Sequence, residues 1–160
     1  MDGMLELEIP GWGEAAIENL VLDYNGTIAL DGELLPGAAE RIERIAAQGI
    51  QVFVITADTN GTVKAQCAGL PLEVLVYGGG AVAKEKLRLV ERLGRESTMA
   101  IGNGNNDREM LEGAGISVAV LGKEGCSAKT LAVADILVPS IEDGLDLLLK
   151  PHRLKATLRG

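Results

Sequence analysis

Aromatic residues are nearly missing from this chain: 160 residues hold one Trp, two Tyr and one Phe. Any core must therefore be aliphatic, and a hydrophobic share of 47% can build one at this length. Cysteine is scarce too. Cys67 and Cys126 make no disulfide framework and suit a reducing cytosol. Positive charge is outnumbered, 15 Lys and Arg against 23 Asp and Glu. With a net charge of −8 and no basic stripe, a nucleic-acid partner is not expected. No apolar run approaches the ~18 residues of a membrane span, so no membrane partner is expected either. The start, Met1-Asp2-Gly3-Met4, lacks the basic region of a signal peptide, and the expected location is cytoplasmic. Neither a repeat nor a long linker divides the chain, so residues 1–160 are expected to form a single domain. Trp12, His152 and the two cysteines have no convergent partners and are read as structural.

What is present is an alternation of short apolar runs with helical patterns, which predicts βαβ units around a mostly parallel sheet. Leu5 to Ile9 reads as a preliminary strand, at most an edge, and Asn19 to Asp23 as the first central strand. Ile28 to Leu35, with Asp31-Gly32 between apolar residues, predicts a small hairpin. Pro36 opens a helix through Gln48, and Ile50 to Thr56 is a buried strand. Thr59 or Asn60 is expected to cap the next helix. Leu72 to Tyr77 is a third central strand, followed by the connection Gly78-Gly79-Gly80 and a helix from Ala83 to Leu93. Strands at Thr98 to Ile101, Ile116 to Leu121 and Ile136 to Val138 then alternate with helices at Asp107 to Glu112 and Ser127 to Val133. A helix from Ile141 to Lys150 is interrupted at Pro151, and the basic tail from His152 to Arg159 is read as helical.

Chemistry enters where the apolar runs stop. In open α/β sheets, sites lie at the carboxyl ends of the strands. Leu20-Val21-Leu22 ends on Asp23, and Val52-Phe53-Val54-Ile55 ends on Thr56. A third run ends on the Gly-rich turn Gly102-Asn103-Gly104-Asn105-Asn106-Asp107. Asp23 can attack phosphorus and split one displacement into two. Thr56 offers a hydroxyl and, at Ala57, a nearby backbone N–H to a phosphoryl oxygen. Lys86 offers a point charge. Asp23, the Asn25 carbonyl, Asn103 and Asp107 offer hard oxygens suited to Mg²⁺. Each signal alone has a plainer reading: a strand-end cap, a solvated lysine, an Asn/Gly turn. Their order and strand-end positions make the set specific.

At these residues the chain resembles the haloacid dehalogenase (HAD) superfamily of aspartate-nucleophile phosphohydrolases. More closely, it resembles the phosphorylation domain of P-type ATPases detached from any membrane part, as in the soluble P-type-ATPase-like phosphatases. Asp23-Tyr24-Asn25-Gly26-Thr27 is similar to the DKTGT motif at its Asp, Gly and Thr, and Thr56-Ala57-Asp58 to the TGD segment. Lys86 with Val90 and Leu93 fits KxxxVxxL, which favours Lys86 over Lys84. Gly102 to Asp107 resembles GDGxND, and Ala134 to Val138 the segment after it, so the likeness runs from about Asn19 to about Val138. The resemblance implies a Rossmann-like, HAD-like three-layer fold and Mg²⁺-dependent hydrolysis of a phosphorylated small molecule. It implies Asp23, Asn25, Thr56 and Lys86 as the catalytic set, with Thr27, Thr56, Ala57, Lys86 and Asn106 at the substrate.

Two residues depart from that pattern. Asn25 stands where phosphatases of the superfamily carry an acid–base Asp, and an amide cannot transfer a proton. Asn103 stands where a metal-binding Asp is usual. The segments between Asp23, Thr56 and Lys86 are too short for a cap domain. An open site of this kind suits a homo-oligomer in which a second subunit covers it, or a large substrate. The alternative is a weakly active or non-catalytic regulatory protein on the same fold. A phospho-accepting receiver domain fits less well, because its acceptor Asp lies near mid-chain.

Overall fold

The apolar runs become strands of one parallel sheet in this computed structural model, which describes residues 3–78 and 80–160. A hairpin of β1 (Leu5–Ile9) and β2 (Gly13–Ile17) leads into β3 (Asn19–Asp23). A second hairpin, β4 (Ala29–Leu30) and β5 (Glu33–Leu34), precedes helix α1 (Pro36–Ala47) and strand β6 (Gln51–Thr56). Helix α2 (Thr62–Gln66) joins β6 to β7 (Glu73–Val76). Helix α3 (Val82–Leu93) then carries the chain back to β8 (Thr98–Gly102). The rest follows as α4 (Arg108–Gly113), β9 (Ile116–Val120), α5 (Ala128–Leu131), β10 (Ile136–Val138), α6 (Ile141–Leu149) and α7 (Pro151–Leu158).

The sheet order is β10-β9-β8-β3-β6-β7, with every neighbouring pair parallel. The chain builds outward from β3 through β6 to β7, then crosses back and restarts on the other side at β8. Strand order therefore reverses between β3 and β8, which opens a crevice at their carboxyl ends. Asp23 and Gly102 end the two strands that flank it.

Parallel strands are covered on both faces, which is why they read as continuous apolar runs. Side chains alternate between two cores. Leu20 and Leu22 of β3, with Val52 and Val54 of β6, face Ile42 and Ile45 of α1 and Leu145 and Leu148 of α6. Val21, Phe53 and Ile55 face Leu89 and Val90 of α3 and Met110 and Leu111 of α4 on the opposite side. Two layers of helices around one sheet make the expected three-layer α/β fold. Between β3 and α1 only the two-by-two-residue hairpin β4–β5 is inserted, so no cap domain is present there. Among the described residues no helix is long and apolar enough to cross a membrane.

The hairpin forms where Asp31-Gly32 predicts it. Asp31 (φ 53°) and Gly32 (φ 85°) both take the left-handed conformation of a primed turn, which matches the twist of the flanking strands. Three expectations need correction. Strand β1 does not edge the main sheet; it pairs antiparallel with β2 as a separate ribbon. The cap of α2 is neither Thr59 nor Asn60 but Gly61 in a left-handed conformation, without a side-chain cap bond. Asn105–Asp107 is a single 3₁₀ turn before α4, so the helix expected to begin at Asp107 begins at Arg108. The expected Gly78-Gly79-Gly80 connection includes Gly79, which lies outside the described residues.

Candidate active site

Lys86 is the centre of the site. It sits one turn into α3, only 1% exposed, and its ammonium reaches three acceptors. Nζ donates to Asp23 Oδ1 (2.9 Å), Asn106 Oδ1 (3.0 Å) and Asp107 Oδ1 (2.7 Å). All three donor positions of the ammonium are thus used. Burial works against the Lys86 charge, but Asp23 and Asp107 outweigh it and hold the ammonium above the ordinary lysine value. Burial first, and the Asp107 carboxylate second, push the Asp23 pKa up to about 7 against the pull of Lys86.

Asp23 Oδ1 is fixed by Lys86, while among the described residues Asp23 Oδ2 meets only a long contact from Thr27 Oγ1 at 3.5 Å. The same hydroxyl lies 3.4 Å from Asn103 Oδ1. One hydroxyl hydrogen cannot satisfy both oxygens, and both contacts are at the weak end of hydrogen bonding. Two hard oxygens therefore converge with spare acceptor capacity. Two carboxyl groups share one ammonium, so the second negative charge is balanced only by a proton or by a cation. This donor set fits Mg²⁺. The Asn25 carbonyl takes no part in the turn's backbone hydrogen bonds among the described residues and adds a third hard oxygen.

Asp107 lies beneath the cleft rather than on its wall. It is fully buried. Its Oδ1 is taken by Lys86, and its Oδ2 accepts from the backbone N–H groups of Asn103 and Gly104, each at 3.0 Å. Asp107 thus braces the Gly-rich turn and Lys86 through both of its oxygens. Asn25 also has a task that the sequence does not suggest: its Oδ1 accepts from Gly32 N at 3.1 Å and pins the tip of the β4–β5 hairpin.

A cleft of about 910 Å³ lies over these residues and is lined by Asp23, Asn25, Thr56, Ala57, Lys86 and Asn103. Thr56 Oγ1 accepts from Asp58 N (3.1 Å), which leaves its hydroxyl hydrogen for a ligand. Thr27 is buried and does not line this cleft, though its hydroxyl reaches Asp23 and Asn103, while Asn106 lines the cleft and accepts from Lys86. Arg108, Glu109 and Glu124 also line the cleft and have no counterpart in the motif reading. The signal for Glu124 is topological: it follows β9, the strand beside β8.

A family model described as haloacid dehalogenase-like hydrolase matches residues 2–115. An uncharacterised protein of Methanocaldococcus jannaschii is 46% identical over 87 residues, 52% of this chain and 91% of the relative. A soluble P-type ATPase-like phosphatase of the same organism is 27% identical over 147 residues, 88% of this chain. The matched part spans about half of that phosphatase, 52% of its length. Among solved structures, 3-deoxy-D-manno-octulosonate 8-phosphate phosphatase from Moraxella catarrhalis, in complex with magnesium, phosphate and the sugar acid, superposes with a TM-score of 0.71. It is 17% identical, with 89% of this chain and 94% of that chain covered, a likeness that shows the fold. Together the family match and the phosphatase relatives support a phosphatase. With its parallel sheet, the Asp23 carboxylate at the end of β3 and this family match, the chain belongs to the haloacid dehalogenase-like hydrolases.

Proposed function

We propose that the protein, as a single domain, is a Mg²⁺-dependent phosphomonoester hydrolase that works through an aspartyl-phosphate on Asp23. The observation that carries this reading is the Asp23–Lys86–Asp107 arrangement, in which one oxygen of a strand-end carboxylate is clamped and the other is left open. Asp23 Oδ2 attacks phosphorus, and the bond from phosphorus to the leaving oxygen breaks. Lys86 turns the N–H now given to Asn106 toward a phosphoryl oxygen, and Thr56 holds another, with the Ala57 N–H beside them. Water then attacks the phosphorus of the acyl phosphate, which releases inorganic phosphate and restores the Asp23 carboxylate. Asp23, the Asn25 carbonyl and Asn103 would hold Mg²⁺. When bound, it supplies positive charge that neutralises the carboxylate and the phosphoryl oxygens.

Asn25 gives no proton to the leaving group, so the leaving alkoxide takes its proton from solvent. The cleft wall is polar, with Asp58, Asn105, Arg108 and Glu109 and no aromatic side chain. The leaving group is therefore a hydrophilic one, such as a sugar or polyol, rather than a stacked base. The structural neighbour from Moraxella catarrhalis, a phosphatase of a sugar-acid phosphate, is consistent with this. A second reading, a slow phosphate-binding regulator, rests on Asn25, whose amide cannot move a proton and is committed to the hairpin.

Phosphate release from an aryl phosphate, measured with Mg²⁺ and with chelator, separates the two. Metal-dependent turnover that disappears in Asp23→Asn is the expected result. Turnover retained in that variant contradicts the mechanism, and no turnover by the wild type favours the regulator.

A further inference from the structure

Asn103 leaves the cation site one carboxylate short of the usual pattern, and a neighbouring loop holds an unassigned acid. Gly122 to Gly125 follows β9 and closes on itself through Gly125 N to the Gly122 carbonyl (3.0 Å). Among the described residues its Glu124 carries no hydrogen bond or ion pair, and it lines the same cleft as Asp23 and Asn103. The approach is close. A methyl group placed on Gly26 would collide with the Asn103 amide nitrogen and lie 2.7 Å from Glu124 Oε1. Gly26 has φ 80° and no side chain, so the Asn103 and Glu124 side chains both come up to the turn that carries the Asn25 carbonyl.

Asn103 itself holds that loop in place. Its Nδ2 donates to the Gly125 carbonyl at 3.2 Å, and its own carbonyl accepts from Ser127 N at 2.8 Å. The Gly125 carbonyl accepts from Nδ2, which orients the Asn103 amide and leaves Oδ1 toward the Thr27 hydroxyl that also reaches Asp23. An aspartate at 103 would set a carboxylate oxygen against the Gly125 carbonyl and repel the loop. The amide is therefore suited to two tasks, lending Oδ1 to the cation site and fastening the segment that carries Glu124.

We propose that Glu124 supplies to the cation site the carboxylate charge that Asn103 lacks, with Asn103 acting as its positioning residue. The inference rests on the phosphatase reading above and concerns the same cleft. It moves a negative charge from the β8 turn to the β9 loop and keeps the total unchanged. Restoring an acid at 103 should then compensate for loss of the acid at 124.

The test is binding of Mn²⁺, a paramagnetic stand-in for Mg²⁺, followed by electron paramagnetic resonance on the full chain without substrate. Glu124→Gln should weaken Mn²⁺ affinity by about 10–100-fold. Asn103→Asp combined with Glu124→Gln should bring it back to within a few-fold of wild type. Glu109→Gln, an acid on the same cleft, should change it little. Glu124 is exposed, so its replacement leaves the fold intact, and unchanged circular dichroism confirms this. Wild-type affinity in Glu124→Gln overturns the proposal while leaving the phosphatase reading in place. Equal weakening by Glu109→Gln also overturns it, because bulk charge would then be the cause. Absence of Mn²⁺ binding by the wild type overturns both this proposal and the metal part of the functional reading.

Discussion

Asp23 has its pKa pushed up to about 7, chiefly by burial and then by Asp107, so the metal-free fold prefers it protonated. The unfolded carboxyl titrates near its ordinary value of 3.8. Between these values the folded state binds more protons than the unfolded state, and stability falls as pH rises. Below pH 3.8 both states are protonated and this contribution is complete; above about 7 it is gone. Thermal denaturation in chelator should therefore show the wild-type Tm falling from pH 4.5 to 7.5 more steeply than that of Asp23→Asn. Saturating Mg²⁺ should flatten the wild-type slope. Parallel slopes for the two proteins would contradict the strain assigned to Asp23. Asn25 is the other informative residue. Aspartate at this position keeps an oxygen to accept from Gly32 N, so the hairpin should survive the change. General acid–base help is typically worth ~10²–10⁴-fold. Asn25→Asp should speed single-turnover dephosphorylation on that scale. A rate that is unchanged or slower, with Mg²⁺ saturating, would show that proton transfer does not limit the enzyme.

At the scale of elements, helix α3 is bound to the sheet partly through charge. Its apolar face packs with Leu89 and Val90, while Lys86 ties it to the end of β3 and to the turn before α4. Removing one partner of a buried ion pair leaves the other charge uncompensated, at a cost of about 3–5 kcal/mol. Lys86→Met should lose stability of that order in urea denaturation at pH 8, and less at pH 5, where Asp23 takes up a proton. A loss under 1 kcal/mol would mean that Asp107 and Asp23 find other partners. The same elements show what the sequence makes visible. Apolar runs ending on Asp23 and Thr56 gave strand bounds within a residue or two, because a strand buried on both faces has no other composition open to it. Asp31-Gly32 marks its hairpin through backbone chemistry alone. Strand β2, by contrast, is Gly-Glu-Ala-Ala-Ile, a composition with little strand preference. It is a strand only because β1 lies beside it.

At the scale of the molecule, the fold gathers residues 63 and 84 positions apart onto one site, from Asp23 to Lys86 and to Asp107. The resemblance made Asp23, Thr56 and Lys86 legible, because strand-end position and order carry over from sequence to space. It did not reveal that Asp107 points inward, nor that Asn25 serves the hairpin. Those facts depend on which hydrogen bonds each side chain finds. Glu124 was invisible for a related reason: only the pairing of β8 with β9 brings its loop to the cleft.

The central claim is that Asp23 becomes phosphorylated. Incubation with labelled acetyl phosphate and Mg²⁺, followed by acid quench and peptide mapping, tests it most directly. The account predicts acid-stable label on the peptide containing Asp23, absent in Asp23→Asn and in chelator, and lost over time in the native protein. Phosphate release without any covalent label, or label that persists in Asp23→Asn, would contradict it.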